Sequence, residues 1–154
     1  MELRELAKQS GVYLDPETIE KYGRMSAYLD DQGRIKLCLG SREAGEIFLH
    51  RFLCPGSETV DHINGNCTDN RLVNLRPATR SQNQWNRKTN ITNTSGYKGV
   101  GYHKASKKFR ARLRHNYAEI YLGLFNTAED AALAYNAAAL KLYGEFAKLN
   151  KVSK

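Results

Sequence analysis

Val60-Asp61-His62-Ile63-Asn64-Gly65-Asn66 is the stretch that decides the reading, with Asn70, Asn74 and Asn83 following at short intervals. An acid, a histidine and several amides are crowded into one short segment. Asp61 and His62 put a carboxylate and an imidazole side by side at the end of an apolar run. The carboxylate can hold a hard cation through oxygen. The imidazole titrates near neutrality and can take a proton from water. Asn83 adds a neutral oxygen ligand from the segment downstream. Asn64, Gly65, Asn66 and Asn70 are expected to shape the loop, because Asn and Gly tolerate left-handed backbone.

Working outward, the segment just downstream repeats a strand-to-helix pattern. Leu72-Val73-Asn74-Leu75-Arg76-Pro77 reads as a short strand closed by proline, and Thr79-Arg80-Ser81-Gln82 has the form of a capping box. Asp61-His62 then stands at the end of a first strand and Asn83 in the first turn of a helix, where the two can face a single ion. Upstream, Tyr28-Leu29, a turn at Asp30–Gly33, and Ile35, Leu37 and Leu39 in alternation predict a β-hairpin. Ser41–Gly45 reads as a second turn. The run Glu46–Leu53 is a mixed apolar run stopped by Pro55-Gly56, and periodicity does not choose between helix and strand there. Its His50 reads equally as a core-edge side chain or as part of a site. Residues 1–24 show a weak helical pattern at Leu3, Leu6 and Ala7 and a helix start at Asp15-Pro16, with no chemistry assigned.

Beyond Lys88–Gly96, a small and polar linker, the composition changes. Lys108-Phe109-Arg110-Ala111-Arg112-Leu113-Arg114 alternates basic and apolar residues, so a strand there buries one face and shows four cations on the other. Tyr97–Tyr102 and Glu119–Gly123 read as its antiparallel neighbours. Thr127 caps a helix running to about Tyr143, with Ala131, Ala134, Ala138 and Leu142 expected on its buried stripe and its aromatic and Leu positions in the core. The fold class is therefore α+β. N-terminal β-hairpins lead into a strand–loop–strand–helix unit over residues 1–90, and a three-stranded sheet packed on one helix follows over residues 91–154.

Charge points to the partner. The chain carries a net +8, and twelve Lys and Arg fall between Asn70 and Ala118 without one acid. A run of like charge is often only a solvated face. Twelve uncompensated cations repel one another, which favours a polyanion such as nucleic acid. Three cysteines without a C-x2-C pair predict reduced, buried thiols and no zinc knuckle. No apolar run is long enough to span a membrane, and the N-terminus lacks the layout of a secretory signal, so the expectation is a cytoplasmic protein.

The D-H-I-N-G-N … N … N-L-R … N pattern resembles the HNH endonucleases, in the homing-type variant where Asn replaces the last histidine. The likeness covers about residues 22–90. It implies His62 as the general base, and Asp61 and Asn83 as ligands of one Mg2+ or Mn2+. An all-oxygen ligand set of this kind is not expected to take zinc. Asn74 matches the family's middle Asn and is expected to bridge the loop and orient His62. Arg76, Arg80 and Arg87 would clamp backbone phosphates. The second half resembles the APETALA2/ethylene-response-factor DNA-binding domain over about Gly96–Asn150, through Y-K-G-V, F-R-A-R-L-R, Y-L-G-L-F-N-T-A-E-D-A-A and A-K-L-N. That likeness implies a sheet laid in the major groove of double-stranded DNA, with Lys98, His103, Arg112, Arg114 and Tyr121 facing it and Arg110 on the same basic strand. Gly101, Ala105, Arg112 and Glu119 depart from the plant pattern, so the plant target sequence does not carry over. Taken together, the resemblances imply a phage or mobile-element endonuclease acting on DNA as a monomer or dimer. The competing expectation is a DNA-binding regulator whose first half is only scaffold.

Overall fold

A computed structural model describes residues 1–40, 44–90 and 92–152. Most of the expected Ser41–Gly45 turn and residue 91 of the linker lie outside the described residues. Contacts divide the chain into two units, Met1–Asn83 and Gln84–Lys154.

The first unit opens with α1 (Leu3–Ser10) and α2 (Pro16–Tyr22), so the faint periodicity at the N-terminus does make helix. Leu3 and Leu6 are buried, and Pro16 starts α2 where its missing N–H costs nothing. The expected hairpin is present as β1 (Ala27–Leu29) and β2 (Ile35–Cys38), with Ala27 opposite Leu37 and Leu29 opposite Ile35. β3 (Glu46–Phe48) adds a third antiparallel strand on β2, and the chain turns at once into α3 (Leu49–Leu53). The ambiguous apolar run is thus strand first and helix second. Ile35, Leu37 and Leu49 are at most 1% exposed and form the core with Leu3, Leu6, Val12 and Ala27.

β4 (Thr59–His62) pairs antiparallel with β5 (Leu75–Ala78), with Asp61 opposite Arg76 and His62 opposite Leu75. The expected strand over Leu72–Pro77 begins late. Leu72–Asn74 form a single 3-10 turn, because the Asn74 N–H is taken by the Arg71 carbonyl and pairing with β4 resumes only afterwards. Then α4 (Arg80–Asn86) follows. Its capping box is formed: Thr79 Oγ1 accepts from the Gln82 N–H at 3.2 Å, and Gln82 Oε1 from the Thr79 N–H at 2.8 Å.

In the second unit β6 (Val100–His103), β7 (Lys108–His115) and β8 (Ala118–Phe125) form an antiparallel sheet in that order. α5 (Ala128–Tyr143) packs on it, with the Thr127 hydroxyl accepting from the Asp130 N–H and Gly144 ending the helix. Ala111 and Leu113 of β7 are buried, as the alternation requires. The buried stripe of α5 is Ala131, Ala132, Tyr135, Ala139 and Tyr143, rotated from the expected one, while Leu133 and Leu140 are exposed. Alanines on every face leave the two tyrosines to set the rotation, since they bury the most area. Gly99, at φ 75°, lies under the Tyr135 ring, where any Cβ would come within 2.1 Å of a ring carbon.

Candidate active site

The site grows from the end of β4. Asp61 is 3% exposed, and its Oδ2 accepts from Arg76 Nε at 2.9 Å and Nη2 at 2.7 Å. Direct opposition on the paired strands makes this contact. Arg76, expected on a phosphate, is therefore placed on the carboxylate beside the histidine. Such a partly buried pair is costly to break from one side, because the remaining charge is left without its partner.

His62 is half-buried. Its Nε2 is 3.3 Å from Asn70 Oδ1, and the Asn70 amide nitrogen donates to the Cys67 carbonyl at 3.3 Å. With its nitrogen so engaged, Asn70 presents oxygen to the imidazole. Nε2 then carries the hydrogen, and Nδ1 is the basic nitrogen. Burial pushes the His62 pKa below its ordinary value, against the Asn70 hydrogen bond and the Asp61 and Asp69 charges, which raise it. His50 from α3 sets its ring edge-on to His62 at 5.2 Å between centroids, with Phe48 stacked on its other side at 5.5 Å. Burial, then the nearby His62, Arg51 and Arg34, pushes His50 down to about 4. Both imidazoles are thus neutral near pH 7.

Asn74 is spent on the loop rather than on the imidazole ring. Its Oδ1 accepts from the Asn64 N–H at 3.0 Å, and its Nδ2 donates to the Asp69 carbonyl at 2.7 Å. Among the loop-shaping residues only Gly65 takes positive φ, at 71°. The asparagines act through side-chain oxygens instead. Asn64 Oδ1 accepts from the Asn66 N–H, and Asn66 Oδ1 from the Thr68 N–H and hydroxyl. Correcting the expectation, these asparagines take no positive φ, and the side chains of Asn64 and Asn66 supply the turn's acceptors.

Sequence reading missed Asp69. Its carboxylate takes both Arg71 Nε and Nη2, at 2.8 and 2.7 Å, and the Asn64 amide at 2.9 Å. The Arg71 guanidinium holds its pKa down, to about 2. It missed the N-terminal segment too. The Tyr13 N–H donates to the Thr68 carbonyl, the Tyr13 carbonyl accepts from the Asn70 N–H, and Asp15 Oδ2 accepts from the Leu72 N–H. A D-x-R spacing signals the first contact. Nothing local signals the second.

Asn83 sits in the first turns of α4, where its Nδ2 donates to the Val60 carbonyl at 3.4 Å. Val60 directly precedes Asp61, so this bond draws the amide to the strand end. A carboxylate and an amide oxygen are donors of the kind a hard cation takes, and among the described residues no group of three or more His, Cys, Asp or Glu comes together to hold one. The Arg76 guanidinium shares that carboxylate. Arg80 makes an exposed ion pair with Glu58 at 3.3 Å, and Arg87 is exposed.

On the sheet of the second unit, Lys108, Arg112, Arg114 and Tyr121 are exposed, and Arg110 and His103 are partly so. Arg112 is bound to Glu119 at 2.7 Å, and His103 Nδ1 lies 2.8 Å from the Ser106 hydroxyl. Lys98 turns inward, and its ammonium donates to the carbonyls of Trp85 and Arg87, the latter at 2.7 Å. Burial pushes it down to about 8. The three cysteines are free and only half-buried, and no helix among the described residues is long and apolar enough to cross a membrane.

The HNH endonuclease family model matches residues 53–85, which run from the end of α3 to the penultimate residue of α4. An uncharacterized HNH endonuclease of Acanthamoeba polyphaga mimivirus is 33% identical over 120 residues, covering 73% of this chain and 62% of that protein. Protein 3.8 of Escherichia phage T7 is 34% identical over 104 residues, covering 61% of this chain and 77% of its own length. The chain therefore spans less than two thirds of the mimivirus relative. No solved structure matches. A matched segment that holds Asp61, His62, Asn74 and Asn83 together, and relatives aligned well beyond it, lead to one assignment: residues 53–85 of this chain are an HNH endonuclease segment.

Proposed function

We propose that the protein is a metal-dependent, homing-type DNA endonuclease that hydrolyses phosphodiester bonds, with a β–β–α catalytic module and an APETALA2-like domain to hold double-stranded DNA. The observation that carries the reading is the imidazole of His62. It is kept neutral by burial and has its Nε2–H directed at Asn70, with a carboxylate next to it on β4. A base placed so can take a proton from the attacking water through Nδ1. Asp61 and Asn83 would hold Mg2+ or Mn2+, which when bound supplies Lewis acidity at the scissile phosphate and the leaving 3′ oxygen. Arg76 then neutralises Asp61 and fixes the carboxylate's orientation, and Asn74 keeps the loop in the shape that presents Asn70. One such site cuts one strand, so a monomer nicks DNA and a double-strand break needs a dimer or two events.

The basic strand β7 is the second support. Lys108, Arg110, Arg112 and Arg114 alternate with its buried residues, a layout suited to phosphates and base edges in the major groove. The deciding experiment is nicking of supercoiled phage genomic or plasmid DNA with Mg2+, with EDTA, and with His62→Ala. Nicking should need the metal and fall roughly 100-fold or more in the variant, while gel-shift binding persists. Tight binding without nicking under Mg2+ or Mn2+ would instead identify a DNA-binding regulator.

A further inference from the structure

A cavity of about 410 Å³ opens in the second unit between three segments, residues 88–89, 96–98 and 148–151. Four lysines line it, Lys88, Lys98, Lys148 and Lys151, together with Thr89 and Tyr97, and among the described residues no Asp or Glu does. Glu129 lies 3.4 Å from the Tyr97 hydroxyl. The walls are stitched in place. The Asn150 side chain accepts from the Lys98 N–H at 2.7 Å and donates to the Lys98 carbonyl at 3.0 Å. Asn136 of α5 makes two more bonds to the Asn150 backbone, and the Lys148 N–H donates to the Trp85 carbonyl. Lys98 is the floor, its ammonium fixed on the Trp85 and Arg87 carbonyls and repelled by Lys148 and Arg87. The other three lysines come from a linker and a tail that these bonds force together. Bringing like charges to one cavity without a lining acid works against folding unless an anion repays it.

We propose that this cavity, through Lys88, Lys148 and Lys151, binds phosphate groups of a nucleic-acid backbone at a place separate from the exposed strand β7. The inference rests on the DNA reading above and adds a contact to it. A compact lysine cluster suits phosphodiesters as point charges and carries no base information, so it contributes affinity and register rather than sequence choice.

The test measures duplex binding by fluorescence anisotropy across a salt series, using the full chain with His62→Ala and the same protein carrying Lys88→Gln, Lys148→Gln and Lys151→Gln. Each phosphate contact contributes about 0.9 to the slope of log affinity against log salt. The triple variant should lose about 2 to 3 from that slope, with its preference among DNA sequences unchanged. A second variant with the three lysines changed to Arg should restore the slope, which separates loss of charge from loss of fold. Equal slopes for the parent and the Gln variant would overturn the cavity proposal and leave DNA binding intact. So would inorganic phosphate binding in the cavity, seen by NMR shifts of Gly96 and Asn150, with no change in the DNA slope. A parent with no salt-dependent duplex binding at all would instead overturn the DNA reading itself.

Discussion

Two asparagines in one loop divide their work. Asn70 Oδ1 faces the imidazole of His62, while Asn74 spends both ends of its amide on Asn64 and Asp69. Asn70→Ala should therefore lower kcat for nicking by about 10- to 100-fold with KM little changed, since the imidazole loses the partner that fixes its tautomer. Asn74→Ala should instead cost about 1 to 2 kcal/mol of stability, read from urea midpoints, because it leaves the Asn64 N–H and the Asp69 carbonyl of a part-buried loop without their partner. If both variants show the same balance of kcat loss and unfolding, the division of roles is wrong. Asp61 and His62 were legible as an adjacent pair with complementary chemistry. The bridging of the loop by Asn74 was legible too, but the contact of Asn70 rather than Asn74 with the imidazole was not, because both are amides on the same loop. Which one meets the ring depends on how the turns between them close.

At the scale of the element, local rules carried far and stopped where packing took over. The box at Thr79 and the cap at Thr127 form as their spacing requires. The run Glu46–Leu53 could not be assigned, and the stripe of α5 was expected on a rotated face, since alanines on every side of that helix leave little contrast between faces. The short helix α3 illustrates what only packing reveals: it carries His50 to His62, an association invisible in the order of residues. His50 is held neutral, at about 4 against an ordinary value near 6.5. The unfolded chain thus binds a proton between those values that the folded chain refuses, so stability is full above about pH 6.5 and falls as pH drops toward 4. After solvent screening the effect is about 1 to 2 kcal/mol. Urea unfolding at pH 7 and pH 4.5 should show this loss in the parent and a smaller one in His50→Phe, where the stack on Phe48 can persist. An identical loss in both would assign the acid sensitivity to other groups.

For the molecule as a whole, the charges are sorted between the two units. Met1–Asn83 holds 11 Lys and Arg against 12 Asp and Glu, and Gln84–Lys154 holds 13 against 4. The unit with the candidate site is thus nearly neutral, and the attraction for a polyanion belongs to the other. Within that second unit the alternation of β7 was legible because period two fixes which residues face out. The pairing of Arg112 with Glu119 was not, because it crosses from β7 to β8 off the direct register. That pairing ranks the cations. Arg114 stands opposite Glu119 in the register, but it is Arg112 whose guanidinium the carboxylate holds, at 2.7 Å. An exposed pair of this kind adds little stability, yet it cancels a charge that DNA would otherwise meet. Arg114→Ala should therefore weaken duplex binding more than Arg112→Ala, and Glu119→Gln should strengthen it several-fold with a salt slope steeper by about 1. Anisotropy titrations at three salt concentrations decide the matter. Weaker binding in Glu119→Gln would mean that the carboxylate holds the Arg112 fork in the orientation DNA needs, so that the pair is a positioning device and not a brake.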